Sequence, residues 1–276
     1  MCRHVAYLGP PVPLRSVLID PPAGLYRQAW APRMQRHGTV NADGFGVGWY
    51  ADGDPVPARY RRAVPIWGDP SLPDLARVTR SGAVLAAVRS ATPGMALGES
   101  AVAPFASGRW LFSHNGALNG WPESAEALLF PGGTAPPGTP PHGGTARPPI
   151  PPGPPAPPWP LEGMVDSALL WALVRGRLRS GDPADVALAA TIRSVEAAGG
   201  SGRFNFLMTD GESVAATAAG DTLWYRQADG AVTVASEPCD DEPGWTEVPD
   251  RHMLTAAPDG VTVRPLTAAT EGILIR

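Results

Sequence analysis

Lysine is absent from this sequence: all 22 basic residues are arginines, set against 26 acidic ones, for a net charge of -4. With a pI near 5.7, that balance excludes the basic footprint on which nucleic-acid binding relies. Missing lysine beside 34 prolines and 32 glycines reads as GC-rich coding bias. An arginine therefore carries functional weight here where a motif surrounds it and not otherwise. Cysteine is scarce as well. Cys2 and Cys239 are too few for a disulfide framework and leave one bridge between them as the single option. No stretch supplies the ~20 apolar residues of a membrane span. The opening "MCRHVAYLGPPVPLRSVLIDPP" lacks a basic segment followed by an apolar one, so no secretory signal is read there. The expectation is a cytoplasmic protein with reduced thiols, and 43% hydrophobic residues in 276 are ample for a buried core.

What is present divides unevenly. In residues 131–160, 14 of 30 positions are proline, a composition that can neither donate the backbone bonds of helix or sheet nor build a core. A polyproline-like surface loop is expected, tolerant of deletion over 134–157 because loop closure costs only logarithmically with length. Before it, 83–90 and 109–115 read as short buried strands and 122–129 as a helix. After it come helical runs over 164–181 and 182–200, the second with Asp182 as N-cap, Pro183 at the first helical position and Gly199 as its stop. Strand-like segments then follow at short spacing, from "RFNFLMTD" to the final "GILIR", with "TDGE" and "ADGA" as turns. Strands, helices, then strands with hairpin-length links predict an α+β layered fold with antiparallel sheets. Neither flank of the proline loop has a full set of layers, so residues 2–276 are expected to form a single domain that the loop interrupts.

Several short stretches carry chemistry. In "NADGFGVGWY" (41–50), glycines alternate with Phe45, Val47 and Trp49, leaving one strand face nearly bare for a backbone or a ligand to approach. "VRSATPG" (88–94) ends a buried strand on Arg89, whose fork matches a carboxylate in two-point geometry; a salt bridge to a neighbouring acid is the alternative. "FSHNGALNGW" (112–121) sets Asn115 and Gly116 where the strand is expected to turn. An amide and an unhindered N–H can converge on one oxygen, as in an oxyanion hole, although Asn-Gly is also a common turn pair. His4, His37 and His114 read as strand or turn histidines satisfied by hydrogen bonds. A terminal Cys-Arg-His could alternatively hold copper or nickel, which would leave the other stretches unexplained.

Taken in order, "MCRHVAYLG", "NADGFGVGWY", "VRSATPG", "FSHNG" and "VDSALL" resemble the class II glutamine amidotransferase domain of the N-terminal nucleophile hydrolases. The late "FNFLMTDG" and "VASEP" are similar to its stand-alone members. The resemblance covers the chain apart from the proline loop. Among the branches, the long runs resemble the γ-glutamyl hydrolases of ergothioneine biosynthesis more than glutathione-degrading or synthase-fused relatives.

That resemblance implies a four-layer αββα sandwich and a cofactor-free hydrolase acting on a small γ-glutamyl substrate, here releasing glutamate and hercynylcysteine sulfoxide. It implies loss of Met1, with Cys2 as nucleophile. An ordinary α-amine titrates at about 7.7–8.0 and a thiol at about 8.5, so the amine can take the thiol proton without a histidine. Asn115 and Gly116 become the oxyanion donors. Arg89, in an R-x-A-T motif completed by Thr92, holds the substrate α-carboxylate, and Asp166 the α-ammonium; Asp166 is equally a helix-start acid favoured by the dipole. Two positions depart from the synthase-linked pattern: Pro93 replaces a histidine and Ala168 a glutamate. They affect the leaving-group side and make free glutamine a less fitting substrate. A glutaminase subunit feeding a separate synthase, and a glutathione-type peptidase, are the competing readings. The trimethylammonium of the hercynyl group suits aromatic faces such as those of Trp30 and Trp49.

Overall fold

Strand β4 (Arg80–Val88) is buried on both faces, and its alternate residues enter two different cores. Ala83 and Leu85 point one way while Val84, Ala86 and Val88 point the other, as the period of two requires. A strand of this kind must lie between two layers. The computed structural model describes residues 2–92, 94–122 and 161–266.

Two antiparallel sheets are stacked. The first contains β1 (Arg3–Pro13), β2 (Phe45–Trp49), β3 (Ala58–Arg62), β4, β9 (Trp224–Ala228), β10 (Ala231–Ala235) and β11 (Thr246–Glu247). Their order is β11-β9-β10-β1-β4-β2-β3, so the chain's first strand lies at the centre. The second holds β5 (Phe105–Ser107), β6 (Trp110–Leu118), β7 (Gly202–Thr209), β8 (Val214–Ala218), β12 (His252–Ala257) and β13 (Gly260–Pro265), in the order β13-β12-β8-β7-β6-β5. Between the sheets, Ala6, Leu8 and Leu85 of the first meet Leu111, Leu207 and Leu254 of the second. Short helices α1 (Arg15–Leu18), α2 (Leu25–Gln28) and α3 (Leu72–Val78) cover the outer face of the first sheet over Val5, Val47 and Val84. Helices α4 (Asp166–Arg179) and α5 (Ala184–Ala197) cover the second over Phe112, Phe204 and Met208. The layers are αββα, as expected.

Local sequence accounts for the long helices. Leu169, Leu170, Trp171 and Val174 give α4 its buried stripe, Trp171 stacks on Phe112 at 5.1 Å, and Arg177 and Arg179 face the negative end of the dipole. Helix α5 starts one residue later than its sequence signals, with Pro183 and not Asp182 at the cap, and Gly199 follows its end at φ +78°. A larger departure lies in β6. Asn115 and Gly116 do not turn; they pair with Asn205 and Phe204 inside a strand that runs on to Leu118. The proline-rich 131–160, most of the 122–129 helix and the "GILIR" strand lie outside the described residues.

Candidate active site

Cys2 immediately precedes β1, in the middle of the first sheet and between two partner strands. It lines a cleft with about 480 Å³ of empty space, open solvent at its mouth included. The same walls carry Arg89, Thr92, Gly116 and Asp166, so five of the six residues singled out from sequence share one cavity.

The central position of β1 explains part of this convergence. Arg3 pairs with Val88, which places the end of β4, and Arg89 after it, beside the terminus. Arg89 is 7% exposed, its Nη2 donates to the Ala96 carbonyl at 2.9 Å, and its buried Nη1 has no hydrogen-bond partner among the described residues. A buried guanidinium with a donor to spare suits an anionic ligand. Its main chain is clamped to the 41–44 segment: Asp43 N–H donates to the Arg89 carbonyl at 2.9 Å, Arg89 N–H to the Gly44 carbonyl at 2.8 Å, and Ala91 N–H to the Asp43 carboxylate at 2.7 Å. Thr92 is exposed on the rim. Asp166 opens α4 and is buried; its Oδ2 accepts Leu118 N–H at 2.9 Å and its Oδ1 accepts Ser167 N–H at 2.7 Å. Cation and anion thus occupy one small cleft, as a zwitterionic ligand end requires.

Gly116 tolerates no side chain, since a Cβ there would run into the Arg203 carbonyl oxygen. Asn115 is fully buried on the inter-sheet side, off the described cleft wall. His4 shares that side, with Nδ1 3.2 Å from Ser113 Oγ, and the strand period carries Cys2 to the same face. Burial, then the neighbouring His114 and Arg3, lowers His4 from its ordinary 6.5 to about 3 and keeps it neutral. Its ring is buried inside the protein, with Nδ1 on Ser113 Oγ. His114 bonds inside the protein as well, Nδ1 lying 3.0 Å from Ser167 Oγ and Nε2 2.9 Å from the Arg203 carbonyl. Cys2 and Cys239 are both free; burial, then Asp240 and Glu237, pushes the Cys239 thiol up to about 12. Neither Trp30 nor Trp49 lines the cleft: both pack against the outer core of the first sheet.

The contacts behind the cleft walls were not legible in the sequence. Arg3 is wholly buried, with Nε 3.7 Å from the equally buried Glu237. Glu237 also accepts the N–H groups of Arg33 and Met34, at 2.8 and 2.9 Å. Asp43 was legible as part of a glycine-rich motif, though not as the clamp on Ala91.

No family model matches the chain. Among curated proteins it is 41% identical over 266 residues to the γ-glutamyl-hercynylcysteine sulfoxide hydrolase of Mycolicibacterium smegmatis, covering 96% of this chain and all of that one. It is 42% identical over 270 residues to the protein of the same name from Mycobacterium tuberculosis, covering 98% of each. Among solved structures, a glutamine aminotransferase class-II domain protein from Silicibacter pomeroyi superposes with a TM-score of 0.61 at 24% identity, over 95% of this chain and 98% of that one. Fold and likeness over nearly the full length agree: the chain belongs to the γ-glutamyl-hercynylcysteine sulfoxide hydrolase family, on the class II glutamine amidotransferase fold of the N-terminal nucleophile hydrolases.

Proposed function

We propose that this protein hydrolyses the γ-glutamyl amide bond of γ-glutamyl-hercynylcysteine sulfoxide, releasing glutamate and hercynylcysteine sulfoxide in ergothioneine biosynthesis. The observation that carries the reading is the cleft shared by Cys2, Arg89 and Asp166, in a chain alike over nearly its full length to hydrolases of that name. Removal of Met1 makes Cys2 the terminal residue, and its own amine takes the thiol proton. Arg89 Nη1, without a hydrogen-bond partner among the described residues, receives the substrate α-carboxylate, and Asp166, its oxygens already oriented by two backbone N–H groups, receives the α-ammonium. These two contacts fix the γ-carbonyl carbon in front of the thiolate. Attack places negative charge on the carbonyl oxygen, which the Gly116 N–H and the Asn115 amide stabilise. Collapse breaks the C–N bond as the Cys2 ammonium returns its proton to the leaving nitrogen, leaving a γ-glutamyl thioester; water, deprotonated by the same amine, then attacks the thioester carbonyl, and C–S cleavage releases glutamate and the Cys2 thiol.

The test compares kcat/KM for this compound, glutamine and glutathione under identical conditions, together with the intact mass. The expected outcome is a mature chain lacking one methionine, a clear preference for the hercynyl substrate, and no turnover by a folded Cys2→Ala variant. Preference for glutamine would make the protein a glutaminase, and preference for glutathione a thiol-catabolic peptidase.

A further inference from the structure

Ser236 follows the last residue of β10 and is fully buried. Its N–H donates to the His4 carbonyl at 3.0 Å, and its Oγ accepts the His4 N–H at 3.0 Å. The same Oγ accepts a hydrogen bond from Asn115 Nδ2 at 3.4 Å, while the Ser236 carbonyl accepts one from the Thr222 hydroxyl at 2.7 Å. At the other end of the amide, Asn115 Oδ1 is buried without a hydrogen-bond partner among the described residues. Among the described residues the Asn115 side chain is therefore anchored at one point, Ser236 Oγ, and that atom also grips the strand carrying Cys2.

We infer that Ser236 is a positioning residue for the oxyanion donor, fixing the plane of the Asn115 amide relative to the nucleophile's strand. The inference rests on the reading of Asn115 as that donor. An amide nitrogen carries two protons. With one on Ser236, the other is free for the oxygen that becomes negative during attack. Without the anchor the terminal torsion of Asn115, which has no sharp intrinsic preference, turns freely. A donor that must be in place before charge develops then loses its preorganisation. Ground-state binding of the glutamyl end, which uses Arg89 and Asp166, is untouched.

The experiment is a double-mutant cycle on the full chain with the hercynyl substrate. Ser236→Ala is expected to lower kcat roughly ten-fold with KM within about two-fold, a smaller loss than the ~10²-fold usual for removing an oxyanion donor itself. Ser236→Thr, which keeps the hydroxyl, restores most of the rate. In an Asn115→Ala background, Ser236→Ala costs nothing more, since the group it positions is gone. An equal loss in both backgrounds would overturn the inference and make Ser236 a structural tie for the terminus. Full activity of Ser236→Ala would overturn it as well. If Asn115→Ala alone left kcat unchanged, the oxyanion assignment would fall and the inference with it.

Discussion

Arg89, just past the end of β4, and Arg3, the first residue of the neighbouring β1, are both buried arginines, yet their surroundings give them different work. Arg89 lines the cleft with one nitrogen that has no hydrogen-bond partner among the described residues. Lysine cannot hold the Ala96 carbonyl and a carboxylate in the same planar fork. Arg89→Lys and Asp166→Asn are each expected to raise KM for γ-glutamyl substrates about ten-fold or more with a smaller change in kcat, because these contacts exist before and during attack. Steady-state kinetics decides, and a loss confined to kcat would refute both assignments. Arg3 is sealed in beside Glu237, and its guanidinium is lowered from the ordinary arginine range chiefly by burial, with Glu237 opposing. Removing one member of such a pair strands the other's charge. Glu237→Gln should cost roughly 3–5 kcal/mol in urea unfolding, and the double change Arg3→Met with Glu237→Gln markedly less. A cost for Glu237→Gln below about 1 kcal/mol would show that the pair does not hold β1.

Among the elements, β2 was legible in its alternating glycines, while β6 was read as a strand but with its end misplaced. The alternating glycines of "NADGFGVGWY" implied a bare strand face open to a backbone or a ligand, and the answer is a backbone: a Cβ on Gly46 would run into the Ala103 carbonyl oxygen, and one on Gly48 would crowd Leu111. Gly46→Val should therefore destabilise by about 2 kcal/mol or more, since strand propensity cannot offset overpacking between layers. A neutral change in the melting temperature would mean that the sheets separate easily there. In β6 the Asn-Gly pair signalled a turn, but pairing with Asn205 and Phe204 overrode that local preference. Helices α1 and α2 have four residues each, too few to show a period. The contacts behind the site were illegible for a different reason. Ser236 and His4 are 232 residues apart, and no local pattern announces a bond across that separation. Five of the cleft residues could be found because they sit in short motifs whose order along the chain resembles a known family, although each motif alone also has a structural reading; Ser236, Glu237 and Asp43 matter through what they hold.

Across the whole molecule, the layered build has a pH consequence centred on His4. Lying near the start of β1, between two sheets, its ring stays neutral in the native state down to about pH 3, whereas an ordinary histidine takes its proton at 6.5. Between those values the unfolded chain binds one proton more than the native one. Stability attributable to this group is therefore full above 6.5 and is lost as pH falls toward 3, at about 1.4 kcal/mol per pH unit once the unfolded ring is charged. Asp221 acts in the opposite sense, because burial raises its carboxyl and the native state then binds protons more readily. The clearest part of the window is its upper end, just below 6.5. Urea unfolding at a series of pH values should show stability declining there, and His4→Gln should remove about one proton's worth of the slope. A native-state ring that titrates above pH 5 by NMR would contradict the burial of His4 on which this expectation depends.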